Sequence, residues 1–174
     1  VQAAGDNEVD QVQYGRYASA IVLLGIMGSS IYVSIKHLTG SNIAALGTVF
    51  LAVAHPFVAF QAFRFRADPI LGAGFLLSAA LLITHRENRN IRLLSACILG
   101  VLATVSIKSV FYVPTLTIIL LLPHQKQSLQ TRLIRLITFG VTTACTAFVL
   151  LELHRLTLAD SGFENSKKLV QSAG

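Results

Sequence analysis

Long apolar blocks constrain this chain more than any other feature. Residues 43–60 contain no Asp, Glu, Lys or Arg, and blocks of similar character occupy 17–34, 69–84, 91–107, 109–122 and 133–153. These blocks show neither the alternation of a half-buried strand nor the 3.6-residue stripe of a helix with one wet face. They are suited to facing lipid or other helices on all sides. With 53% hydrophobic and 13% charged residues and a mean hydropathy of +0.66, the composition excludes a water-soluble globular domain. Hydrocarbon offers no partner to an open sheet edge or an irregular backbone, so helices are the expected solution. The reading is an all-α, multi-pass transmembrane bundle of about six membrane helices. Residues 1–16 are expected to form a polar external loop or a fragment of one, 17–155 the bundle, and 156–174 a polar external tail. The chain opens on Val1 without a visible signal peptide, and is read as an excised segment.

The punctuation between blocks is local and legible. Lys36, His37 and the run Thr39-Gly40-Ser41-Asn42 end the first block. His55-Pro56 removes a backbone donor and should stop or kink the second. Asp68 directly before Pro69 suits a helix start. The polar run from His85 to Asn90 separates the third and fourth blocks, and Lys108 interrupts what would otherwise be one apolar stretch to Pro123. Turns are therefore expected at Gly40, Asn88 and Gln125. Cys97 and Cys145 lie inside apolar blocks with no His or Cys at ligand spacing, and read as packing residues.

Alternation of the blocks sorts the charges onto two faces. Face A receives Lys36, Arg86, Arg89, Arg92, Lys126, Arg132 and Arg135; face B receives Arg16, Arg64, Arg66, Lys108, Arg155, Lys167 and Lys168. The count is a tie under the positive-inside rule. If Arg64, Arg66 and Lys108 are held at a site, the remaining bias makes face A cytoplasmic and face B external. The net charge of +6 is thus divided between two membrane faces and is not a nucleic-acid signal.

Residues able to carry chemistry gather on face B. Arg64, Arg66 and Asp68 fall within about a turn of one another between the second and third blocks, and Lys108 lies at the same level between the fourth and fifth. Guanidinium forks and an ammonium can hold a phosphate, while a neighbouring carboxylate can bind a divalent metal ion or orient a hydroxyl or amine. The alternative for the same residues is that the arginines snorkel to headgroups and Asp68 caps a helix. Arg16, entering the first block at the same face, could join the phosphate or one of the carboxylates, or could simply snorkel. His55 could line an external cavity or bond a carbonyl freed by Pro56.

The order Arg16-Tyr17-Ala18-Ser19-Ala20, then His55-Pro56 with Arg64-Phe65-Arg66-Ala67-Asp68, then Gly100-Val101-Leu102-Ala103-Thr104 leading to Lys108 resembles the GT-C glycosyltransferases. These polyprenyl-phosphate-dependent enzymes include protein O-mannosyltransferases and aminoarabinose transferases of lipid A. The resemblance covers roughly residues 13–123. It departs from the family where Ser106 and a displaced Lys108 replace a Thr-Lys pair, and the family's first span and following acidic pair are not identifiable; the segment around Asp6, Glu8 and Asp10 does not reproduce that pair.

The resemblance implies transfer of a sugar from a polyprenyl-phosphate donor to a lipid, glycan or protein acceptor at the outer face of a plasma or inner membrane. Arg64, Arg66, Lys108 and Arg16 would bind the polyprenyl phosphate, Asp68 and Lys108 would be catalytic, and Asp68 would contact a divalent metal or the acceptor. Membrane lipids are the remaining partners, nucleic acid is not one, and the segment alone is expected to be inactive. Two other classes fit the composition. A transporter or channel fragment would need polar lining near the bilayer midplane, where these blocks hold little beyond Ser, Thr, Gly and Cys. A non-catalytic membrane assembly subunit would leave the face-B charges unexplained.

Overall fold

A computed structural model of the chain describes residues 8–56, 58, 67–85, 87–122 and 128–172, with side chains described between Asp10 and Thr157. The described residues are helical, with no strand among them. Among the described residues six α-helices follow one another: α1 (Glu8–Thr39), α2 (Asn42–Ala54), α3 (Ala67–His85), α4 (Arg89–Val105), α5 (Val113–Leu121) and α6 (Leu129–Ser172). A 3₁₀ turn, Ile107–Tyr112, joins α4 to α5.

Most boundaries follow from the residues that make them. Gly40 takes φ +70 and donates its N–H to Lys36 O at 2.8 Å, a left-handed stop for α1 that a side chain would disfavour. Ser41 then caps α2, its Oγ accepting from Ala44 N at 3.2 Å. His55 ends α2 in the extended region (φ −65, ψ 121), as the residue before a proline must. Asn88 caps α4 by accepting from Asn90 N. The expected turns at Gly40 and Asn88 are thus present, whereas Gln125 lies outside the described residues.

Lengths differ from the sequence reading in three places. α1 begins at Glu8, well ahead of Tyr17, so part of the stretch read as a loop is helical. α6 runs unbroken through 44 residues to Ser172, so the tail after Arg155 is helical too; nothing between Arg155 and Ser172 is a proline or a glycine pair able to stop it. The fifth block contains a 3₁₀ turn and only nine residues of α-helix. Ser106, extended at φ −161 and ψ 141, ends α4, and its Oγ accepts from Lys108 N at 3.3 Å to start the 3₁₀ turn; Pro114 then sits in the first turn of α5.

Among the described residues three helical stretches are long and apolar enough to cross a membrane: Asp10–Thr39, Ala67–His85 and Leu129–Thr157. Only 17% of the α1 span and 6% of the α6 span is buried inside the protein. Ile21, Ile43, Phe50, Leu51, Ile137 and Phe148 are among the large apolar side chains left exposed. Such surface is costly in water and unremarkable in lipid.

α3 is the hub. It packs against α1, α4 and α5, while α2 packs on α1 and α6 on α4 and α5. Leu71, Ser78 and Leu82 on one face of α3 are almost fully buried, and the core gathers Ala79, Leu82, Ala96, Leu99, Leu116, Leu120 and Phe139. Small residues bring the backbones close, as lipid-embedded helices require. Ser78 and Ser95 exchange hydroxyl-to-carbonyl bonds across α3 and α4, at 3.3 and 3.1 Å. Gly100 meets α6 so tightly that a Cβ would lie 2.6 Å from Thr146 Cβ and 2.8 Å from Thr143 O. Thr143 Oγ1 completes this crossing by donating to Ala96 O, and Cys97 lies in it, accepting from Thr146 Oγ1.

Candidate functional site

The site is best built from the buried face of α3. Positions 68, 71, 75, 78 and 82 recur at three- and four-residue steps and therefore share one side of the helix. Since Leu71, Ser78 and Leu82 are buried on it, Asp68 begins the same stripe, one turn outside the core. Asp68 stands in the first turn of α3 just before Pro69, where the helix dipole favours a carboxylate.

The 3₁₀ turn delivers the second residue. By breaking α4 at Ser106, the chain turns back over the start of α3, and Tyr112 stacks on Phe75 with ring centroids 4.4 Å apart and planes inclined by 18°. Ser109 is buried beneath the same turn. Lys108 is left pointing at Asp68, and its Nζ donates to Asp68 Oδ1 at 2.7 Å across 40 positions of sequence. The side chains are 61% and 40% exposed, so the pair faces outward and can be approached.

The other expected site residues are placed less centrally. Arg64 and Arg66 lie outside the described residues. Arg16 is exposed on the first part of α1 and does not take part in the Asp68–Lys108 pair. His55 is exposed at the end of α2, a helix that packs on α1; its carbonyl accepts from Val58 N at 2.9 Å. Among the described residues no group of three or more His, Cys, Asp or Glu side chains is brought together. Asp68 Oδ1 is met by the Lys108 ammonium.

Sequence reasoning missed the supports: Ser106, Tyr112 and Phe75. The serine two residues before Lys108 was the available signal, because a Ser side chain that caps a turn fixes where the next residues point. The aromatic stack had no such signal. A cleft of about 490 Å³ between α1 and α3, lined by Val22, Ile26 and Leu77 among others, runs to Thr84 and His85. It belongs to the other end of α3 and leaves Asp68 untouched.

Chemically, the arrangement is a hydrogen-bonded ammonium–carboxylate pair at one end of a helix bundle, open on one side. An exposed pair of this kind contributes little to folding, about 0–1 kcal/mol. It can exchange partners: an anion can take the ammonium, and a hydroxyl or amine can take the carboxylate. No protein-family model, curated protein or solved structure matches the chain.

Proposed function

We propose that this chain is the membrane part of a glycosyltransferase of the GT-C kind, moving a sugar from a polyprenyl-phosphate donor to a lipid, glycan or protein acceptor at the external face of a plasma or inner membrane. The observation that carries this reading is the contact between Asp68 and Lys108, because two loops far apart in sequence converge on one open point. A departing phosphate needs such convergence. Asp68 closes one of the segments through which the sequence resembles that family, and Lys108 is the displaced lysine that ends another.

In this reading the acceptor's oxygen or nitrogen attacks the anomeric carbon as the bond from that carbon to the phosphate oxygen breaks. Negative charge grows on the polyprenyl phosphate, where Lys108 Nζ stabilises it together with Arg64, Arg66 and Arg16. Lys108 is held in place beforehand by Asp68, so little reorganisation is needed when the charge develops. Once the phosphate draws Lys108 away, the Asp68 carboxylate is released to hold the acceptor. The acceptor's proton passes to water at the open face.

The reading also includes six crossings. α1, α3 and α6 cross in full; the 13 residues of α2 reach roughly 20 Å, the 17 of α4 roughly 26 Å, and the 3₁₀ turn with the nine residues of α5 roughly 26 Å together, so these cross where the bilayer thins. Alternation then puts Asn88 and Gln125 in the cytoplasm and Gln61 outside. Cysteines at those three positions, labelled from one side of sealed vesicles, check this directly, and external labelling at Asn88 would remove the outward-facing site.

The function itself is tested in membranes bearing the full-length protein. Transfer of labelled sugar from a polyprenyl-phosphate donor should be readily measured, and Asp68→Asn and Arg66→Ala should each abolish it without reducing membrane insertion. Near-normal transfer in both variants would end the proposal.

A further inference from the structure

The end of the molecule opposite Asp68 carries a second concentration of charge that sugar transfer does not use. Arg135, near the start of α6, grips Glu87 in the α3–α4 turn with both arms of its guanidinium, at 2.9 and 2.6 Å. Arg92, in the first turn of α4, is only 8% exposed, and the charges it faces are Arg135, Glu87 and Arg89. Arg89 and Arg92, three residues apart at the start of α4, therefore lie beside the Arg135–Glu87 pair. Arg132 lies one turn before Arg135 on the same side of α6 and is itself half-buried.

Cations crowded together at the edge of a low-dielectric region repel one another unless an anion joins them. The described residues at this end offer Glu87 and no other carboxylate. We infer that Arg89 and Arg92, beside the Arg135–Glu87 pair, form a phosphate-binding site at face A, taking the phosphate of an anionic lipid headgroup or a soluble phosphate. Guanidinium forks match phosphate oxygens in pairs. The Asn88-capped start of α4 adds the positive end of a helix dipole at the same place. Leu94 on α4 and Leu133 and Ile134 on α6 flank the cluster and are exposed, a surface that acyl chains would cover. The site is separate from the transferase site, at the other end of the bundle, and stands whether or not that reading holds.

Native mass spectrometry of the detergent-purified full-length protein, exposed to phosphatidylglycerol and phosphatidylcholine in turn, tests the inference. The wild type should retain the anionic lipid about tenfold more strongly, the scale of a charge-assisted, forked contact. Arg92→Gln should lose this preference, and Arg92→Lys should recover only part of it, because a point charge lacks the fork. Should Arg92→Gln fail to fold, Arg89→Gln at the exposed rim should still weaken the preference severalfold.

Unfolding temperature in millimolar inorganic phosphate separates the two sources. A rise in the wild type that Arg92→Gln or Arg89→Gln lacks identifies a soluble phosphate as ligand. No rise, with anionic lipid still preferred, identifies the headgroup. The inference is overturned if the wild type shows neither lipid preference nor response to phosphate, or if both persist unchanged in Arg92→Gln and Arg89→Gln.

Discussion

The two ends of the bundle each hold an ion pair, and the pairs are built differently. At one end Lys108 meets Asp68 through a single contact of 2.7 Å with both side chains well exposed. At the other Arg135 meets Glu87 through two contacts, with the arginine side chain 18% and the glutamate side chain 45% exposed. A forked, half-buried pair fixes α6 against the α3–α4 turn and is costly to break. A single, open pair costs little to break and can trade partners. The contrast teaches that charge density alone does not mark a reactive end; the freedom of the pair to exchange does.

The comparison can be broken most forcefully by reversing the open pair. Asp68→Lys with Lys108→Asp keeps the attraction but moves the cation onto α3. If Lys108 acts on the phosphate and not merely as a tether, transfer in the double variant should stay at least about a hundredfold below wild type. Recovery of transfer would reduce the pair to a structural clasp.

A smaller effect, on stability, is expected at the crossing that carries α6 to the forked pair. Gly100→Ala places a methyl against Thr143 O, a backbone atom that cannot swing away, and should destabilise the protein by about 1–3 kcal/mol in thermal unfolding. Gly74→Ala meets only the flexible end of Leu102 and should cost less. Equal costs would mean that α4 and α6 are not as closely seated as described.

At the forked pair itself, Glu87→Gln removes the charge that Arg135 holds and should cost about 1.5–3 kcal/mol. Lys108→Ala at the open pair should cost no more than about 1 kcal/mol. Matching losses of stability in these two variants would erase the distinction between the ends.

How far the sequence foretold this depends on the kind of signal. Helix class was legible because hydrocarbon permits few other solutions, and the turns at Gly40 and Asn88 were legible because each rests on one residue's local chemistry. The meeting of Asp68 and Lys108 at one end followed from block alternation and block length, which force both loops to the same side. The helical extensions of α1 and α6 were not legible, since polar residues outside the apolar block are compatible with loop and helix alike. The break at Lys108 was legible from the charge, but its 3₁₀ form over Ile107–Tyr112 was not: residues 109–122 are apolar enough to pass for a span, and the shortening of α5 depends on the Ser106 cap and Pro114. Nor does spacing reveal the Phe75–Tyr112 stack or the burial of Arg92, both of which are products of tertiary packing.

The central claim is that the open pair at face B serves chemistry, and the most direct measurement is sugar transfer by Lys108→Ala beside Lys36→Ala in the full-length protein. Lys36 is an exposed lysine in the last turn of α1, at the other end of the bundle, resting over the Tyr32 ring. Both variants should insert and fold as the wild type does. The account predicts transfer reduced by about a hundredfold or more in Lys108→Ala and unchanged in Lys36→Ala; equal activity in the two would contradict it.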